Sequence, residues 1–587
     1  MDDSSRYMDL LASMPCFAGL DAVQLRTLYG FCALKVLAKG ESATVAGATV
    51  EELGIIVSGR VVELEERPAA RELGRGSAIE ANAFFTRRPA AAAYAALRET
   101  VLLTLAWDDL VAAIQASPDL LSSCFSRMSM DDAALAFAAS RPTRLAICPA
   151  GAHARLDPAA KAALLSALED LAEIRLLGRG SFGGGMPGAI TLDAPETAHW
   201  LQQQELEFDL TVFVAEGPDL DFAKETIEEA DEILFIAAGN DPSLSALEQH
   251  TLETRGGERC RLAIVRGERL SVEKAAEWTA QRPYRSTQAV DFASPEAVRL
   301  MGAGLLGKGN AMAATSRGVY AAAILGALQA FEAHGLPAVS LVAAGSAILP
   351  AGLLASGASL SDIEAIFREL ANPVLWKRAV RAEAGLFEPA PIDNFLTSAL
   401  SGRDIAISGR PFAAVSRSLS NGGAEVHRQG PLHRVVRAGV TSPGLLPPVI
   451  LEDGTILVSG ENETEAVFGA AKAIAASPLF FLHPSVPPLG LTSPYRTAAA
   501  LLRLTPFQSL MALDKRVRIE TVLGACSRNS PALPFSSPGW DEGVAQIFAV
   551  PIPEGVSPMD WPEWSNLRDR AFEWASTELE TRSLGKE

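Results

Sequence analysis

The sequence has no C-x-x-C pair: its six cysteines, Cys16, Cys32, Cys124, Cys148, Cys260 and Cys526, are scattered. That spacing excludes a zinc ribbon or a disulfide framework and predicts reduced, mostly buried thiols. Positive charge is also in short supply. Against 70 Asp and Glu stand 51 Lys and Arg, for a formal net charge of −19. Nucleic-acid phosphates are held mainly by Lys and Arg, so nonspecific nucleic-acid binding is not expected. Docking on anionic lipid by bulk charge is disfavoured for the same reason. The opening MDDSSRYMDLLASM is acidic and lacks a long apolar core, so no secretory leader is expected there. No residue cluster calls for a metal or a cofactor, and none is expected.

What is present points to several domains. At 587 residues the chain exceeds one ordinary domain, and 48% hydrophobic with 21% charged residues is a globular composition. Residues 1–140 open with helical patterning at Leu10, Leu11, Met14, Leu20, Val23, Leu25 and Leu28. Short alternating strands follow, such as LGIIVSGRVVELEE (Leu53–Glu66) and VLLTLAWDDL (Val101–Leu110), and together they predict a small β-roll. Residues 141–300 alternate apolar runs with amphipathic spacers such as DPAAKAALLSALEDL. The runs are RLAICPAG, EIRLLGRG, FDLTVFVAEG, EILFIAAGN and CRLAIVRG. That alternation predicts a parallel α/β layer. The glycine-rich SFGGGMPG (Ser181–Gly188) lacks the Lys-Ser/Thr of a phosphate loop and reads as a flexible connection. His153, His199 and His250 stand alone and read as ordinary surface or core residues.

Residues 301–587 are organised around VSLVAAGSAILPAGLLASG (Val339–Gly357), which reads as a buried strand, a sharp turn and a buried helix. Gly, Ser and Pro at its centre argue against a membrane span. A serine on such a turn, here Ser346, is where α/β hydrolases hold a nucleophile. The flanking glycines of the Gly-x-Ser-x-Gly pattern are replaced by Ala344 and Ile348. Farther on, Asp453-Gly454 between two apolar runs is the usual tight-turn dipeptide. From Ala549 the pattern predicts a strand, a proline-rich loop with Trp561 and Trp564 as packing anchors, and a closing amphipathic helix.

Two resemblances sharpen these readings. IIVSGRVV and LGRGSAIEANAFFTRRPAAAAYAALRETVLLTL are similar to the strand-turn-strand and phosphate-binding cassette of the cyclic-nucleotide-binding domain of catabolite activator proteins. The resemblance puts Glu80 where the family's acidic residue bonds the ribose hydroxyl. It puts Ile79 on the preceding glycine and Ala90 on the phosphate arginine, with Arg87 and Arg88 out of register. A lost phosphate arginine removes charge-assisted hydrogen bonds of about 1.5–3 kcal/mol each, so a structural or dimerising roll is expected rather than a nucleotide receptor.

The last region resembles a patatin-like phospholipase domain. The resemblance rests on RGVYAAAILGALQAFEAHGLP (Arg317–Pro337), LVAAGSAILPAGLLASG and the block Arg410–Gly454, in order and spacing. With the roll and an α/β region between, the arrangement resembles bacterial relatives of neuropathy target esterase. The family uses a Ser-Asp dyad and a glycine-rich oxyanion loop. Carried over, the nucleophile falls on Ser346 and the dyad aspartate on Ser459, in Val458-Ser459-Gly460-Glu461. The loop falls on Ala313, Ala314, Thr315, Ser316, Arg317 and Gly318, so its glycines have become Ala, Ala and Thr. Asp453 is the first substitute acid to consider and Glu461 the second.

The expectation is thus a multidomain α/β protein: a degenerate cyclic-nucleotide-binding-like β-roll (1–140), an α/β linking domain (141–300) and a degenerate patatin-like hydrolase domain (301–587). Function is expected to be noncatalytic: scaffolding, regulation or lipid sensing through a protein partner, a homo-oligomer or a bound acyl chain. A serine esterase or lysophospholipase using Ser346 with an unusual acid is the alternative. A bacterial-type cytoplasm is the expected location, with peripheral attachment to the inner membrane left open.

Overall fold

The computed structural model describes residues 3–14, 17, 20–64, 72–117, 141–152, 155–178, 195–215, 220–238, 241–267, 270–380, 385–441, 444–474, 478–485, 545–554 and 556–582. SFGGGMPG lies outside them, as do Cys16, Cys124, Cys526 and His153.

The first unit is a roll of two four-stranded antiparallel sheets behind the helices Asp3–Ser13 and Ala22–Tyr29. One sheet runs Ala33–Leu37, Thr100–Ala106, Glu52–Ser58, Ala78–Ile79, and the other Ser42–Thr44, Tyr94–Ala96, Val61–Glu63, Glu72–Leu73. Leu53, Ile55 and Val57 face a core shared with the helices, while Ile56 faces Leu37, Val61 and Leu102 between the sheets. Burial on both faces explains why this strand is continuously apolar. IIVSGRVV is not a paired hairpin as its pattern suggests. Its two arms enter different sheets, and Gly59 (φ +91°) turns the chain from one to the other.

The middle unit is a six-stranded, all-parallel sheet. Its order is Ile174–Leu177, Leu210–Val214, Arg144–Pro149, Glu232–Ala237, Cys260–Val265, Ser286–Val290. Five strands match the apolar runs; the sixth, STQAV, carries Ser286 and Gln288 and has no such run. Leu145 and Ile147 meet the helices Pro158–Leu171 and Pro295–Leu305, while Ala146 and Cys148 face the opposite layer. Cys148 and Cys260 are buried free thiols, and Cys32 is half-buried and free. A domain division at residue 300 would cut the Pro295–Leu305 helix. Val298, Met301 and Leu305 of that helix share a core with Leu164 and Leu168, so the middle unit extends beyond it. Arg60 and Arg98 of the roll reach buried Asp231 and Glu205 of the middle unit, joining the two through ion pairs.

The third unit holds an eight-stranded mixed sheet: β1 (Asn310–Ser316), β2 (Ala338–Gly345), β3 (Phe412–Ser418), β4 (Ala424–His427), β5 (Val449–Ile450), β6 (Ile456–Ser459), β7 (Leu479–Ser485) and β8 (Ala545–Pro551). Its order is β5-β6-β3-β2-β1-β7-β8, with β4 on β3. The adjacent strands β8, β7, β1, β2 and β3 are parallel, with β8 at the edge. Helix α1 (Ala321–Ala333) is buried along most of its length between the sheet and α4 (Trp564–Thr581). Helix α2 (Ile348–Ala355) follows β2, and α3 (Leu432–Val440) packs beside it. Trp561 stacks on Trp376 at 5.4 Å and Trp564 on Phe367 at 5.9 Å, so both tryptophans are packing anchors. Among the described residues no helix is long and apolar enough to cross a membrane.

Candidate active site

Parallel sheets gather ligand sites at the carboxyl ends of their strands. Here β1, β2 and β3 bring Ser316, Ser346 and Ser416 to that end, and β6 delivers Ser459. Two neighbours share one edge of β3. Residues 412–415 bond the long strand β2, and from Ser416 onward β6 takes its place, running antiparallel. The chain leaving β6 is thereby driven against the turn after β2.

That turn is the serine elbow foreseen from the pattern, but its strain sits one residue early. Gly345 has φ +64°, and a Cβ there would lie 2.0 Å from the Ser316 carbonyl oxygen and 2.9 Å from Glu461 Cβ. Among the described residues only Glu80 and Arg87 are non-glycines with positive φ, so Ser346 is not in a strained conformation. Its N–H donates to the Ser316 carbonyl at 2.9 Å, and its hydroxyl shares a hydrogen bond with the Ser316 hydroxyl at 2.8 Å. The Ser346 side chain has no exposed surface.

The residues matched to an oxyanion loop do not form one. Ala313, Ala314, Thr315 and Ser316 belong to β1, paired with β2 through Ser316 and with β7 through Ala314. Alanine, threonine and serine fit an extended strand where successive glycines would favour a loop, and the ladder consumes their amides. Only Arg317 and Gly318 leave the sheet. Gly318 (φ +51°) could carry no Cβ, which would lie 1.9 Å from the Pro558 carbonyl oxygen. The next donor, Val319 N–H, gives its hydrogen bond to that same carbonyl at 2.8 Å. Tyr320 secures the segment by donating from its hydroxyl to Val556 O at 2.8 Å.

The two substitute acids separate cleanly. Asp453 lies in the exposed turn between β5 and β6, accepting from Thr455 N–H at 2.9 Å while Gly454 takes φ +85°. Glu461, ranked second by spacing, is the carboxylate at the elbow: β6 ends at Ser459, and two residues on the chain touches Gly345. Its carboxylate accepts from the Ser459 hydroxyl at 3.3 Å and lies 3.6 Å from Arg317 Nε. Burial pushes the Glu461 carboxyl above its usual range, outweighing Arg317 and the Ser459 hydroxyl.

One pairing was missed from sequence. Ser416, fully buried, shares a 2.6 Å hydrogen bond with His427 Nε2, and burial lowers the histidine's pKa so that the neutral ring is favoured. Treating Phe412–His427 as a two-stranded hairpin would have put both side chains on one face. Glu80 and Ala90 lie in the separate roll. Glu80 precedes the helix Ala81–Thr86 at φ +51°, and Ala90 and Ile79 line a cavity of about 390 Å³. Among the described residues no group of three or more His, Cys, Asp or Glu could hold a metal ion.

No protein-family model matches the chain. It is 24% identical over 329 residues to Lysophospholipase NTE1 of Cryptococcus neoformans var. neoformans serotype D, in strains JEC21 and B-3501A. The match covers 45% of this chain and 20% of the relative, so it spans about a fifth of the length of the curated relatives. Among solved structures, the N-terminal domain of a transcriptional regulator from Streptomyces coelicolor A3(2) is 25% identical. That likeness covers 21% of this chain and 88% of that one, with TM-score 0.20. A cyclic nucleotide-binding domain from Methylobacillus flagellatus is 17% identical over 22% of this chain and 74% of that one, also with TM-score 0.20. The protein is a multidomain α/β chain, and over 45% of its length it is distantly homologous to a lysophospholipase.

Proposed function

We propose that this chain is a catalytically silent relative of the lysophospholipases, using the hydrolase frame as a scaffold, a regulatory element or a lipid-sensing module. The observation that carries the reading is the Ser346 hydroxyl. It is enclosed and paired with another hydroxyl, that of Ser316. A serine needs a base within hydrogen-bond reach to become a nucleophile, and a second serine supplies none near neutral pH. Ser459 at the matched aspartate position has the same limitation. The donor side agrees: Val319 N–H is already spent on Pro558 O, and each lost oxyanion donor costs about 2.7–4 kcal/mol of transition-state stabilisation. The partner is a protein, a second copy of the chain or an acyl chain, and the setting a bacterial-type cytoplasm. The test is hydrolysis of a short-chain nitrophenyl ester and a lysophospholipid by wild type and Ser346→Ala. Equal background rates are expected; turnover that disappears in the variant would overturn the reading.

A second reading follows from Glu461. A largely buried carboxyl of raised pKa against the elbow, beside Arg317, is an acid-base group in the right neighbourhood for an esterase. On that reading a fluorophosphonate probe labels Ser346, and Glu461→Gln abolishes the labelling. On the silent reading Ser346 stays unlabelled in both proteins.

A further inference from the structure

We propose that the anion cradle of the β-roll is closed by the chain's own Glu80, which serves as its permanent ligand. The cradle is a pair of successive amides. Ala91 N–H donates to one carboxylate oxygen of Glu80 at 3.1 Å, and Ala92 N–H donates to the other at 3.2 Å. Two adjacent N–H groups converging on one carboxylate form the same two-point arrangement that receives a phosphate oxygen pair. They directly follow Ala90, which with Ile79 lines the 390 Å³ cavity, so the cradle borders the space a small ligand would enter. Glu80 reaches them from φ +51°, a conformation that a residue with a side chain keeps only when its surroundings hold it there.

Two basic side chains of this neighbourhood are engaged elsewhere, and Arg88 stands exposed to solvent. Lys35, the basic residue lining the cavity, pairs with Glu52 at 3.4 Å. Arg87 lies over the Trp107 ring, 5.0 Å from its centroid. Glu51 and Glu52 add like charge to the same lining. A diffusible phosphate must therefore displace a tethered carboxylate, whose effective concentration is high, and do so against repulsion. The amide pair is thus filled without a diffusible ligand.

The test uses the full chain and its Glu80→Ala variant, melted with inorganic phosphate or cyclic AMP, with chloride at matched ionic strength as control. Phosphate stabilises folded proteins generally by exclusion, so the readout is the difference between variant and wild type. Wild type should show no saturable shift with either probe. The variant should melt lower and recover saturably with phosphate, which refills the emptied amide pair. A saturable wild-type shift with either probe overturns the proposal, as does a variant that melts like wild type or gains nothing from phosphate. If Glu80→Ala does not fold, Glu80→Gln keeps the length with a single strong acceptor and carries the same comparison.

Discussion

Replacing Asp231 with asparagine keeps the size of the side chain and removes its charge, at the junction of the roll and the middle unit. Its side chain is fully buried, 3.2 Å from Arg60 Nε, and it accepts from Arg98 Nη1 at 2.5 Å. From its own unit it accepts from Thr143 N–H at 2.8 Å, Thr143 Oγ1 at 3.0 Å and Arg144 N–H at 3.1 Å. Glu205 completes the cluster, taking Gly59 N–H at 3.0 Å, Arg98 at 2.8 Å and Arg144. Burial alone would raise the Asp231 carboxyl, but Arg60 and Arg98 outweigh it and hold the group far below the carboxylate range. Without the carboxylate, among the described residues Arg60 keeps only Glu72 at 3.3 Å and Arg98 only Glu205 at 2.8 Å. Breaking a buried pair on one side costs about 3–5 kcal/mol. At roughly 2–4 °C per kcal/mol for units of this size, the transition should fall by about 6–20 °C in calorimetry. The folded-state pKa is depressed, so the contribution is present above the unfolded value of about 3.9 and lost as pH falls through the folded one. Wild type should therefore lose stability more steeply than Asp231→Asn below about pH 4. A variant within about 0.5 kcal/mol of wild type, the range of a surface change, refutes the assignment of a shared junction.

Two further perturbations test the elbow. Gly345→Ala and Gly335→Ala both place a side chain at positive φ, but a Cβ at Gly335 meets nothing within 4 Å. Gly335→Ala should cost about 1 kcal/mol by urea denaturation and Gly345→Ala several times more; equal costs would contradict the packing of Ser316 and Glu461 on the turn. Glu461→Gln removes a carboxyl of raised pKa, whose stabilising contribution is complete below the unfolded value of about 4.3 and lost as pH rises through the folded value. The variant should lack that loss in a stability profile from pH 4 to pH 8, and parallel profiles would count against burial of the charged group.

Periodicity and composition were enough to determine the architecture. Apolar runs spaced by amphipathic helices specify parallel layers, because each run must be covered on both faces. The strand-turn-helix around Ser346 and the turn at Asp453-Gly454 followed from local chemistry alone. The polar strand Ser286–Val290 escaped because its burial comes from neighbours rather than from its own composition. Which acid meets the elbow could not be read from spacing. That depends on β6 replacing β2 along one edge of β3, a pairing between residues about forty apart. The fate of each donor was equally hidden: Val319 N–H goes to Pro558, more than two hundred residues away, and Arg98 to Asp231 across two units. Local sequence carries the propensities of a segment, whereas the partner of a buried polar group is set by what folding brings beside it.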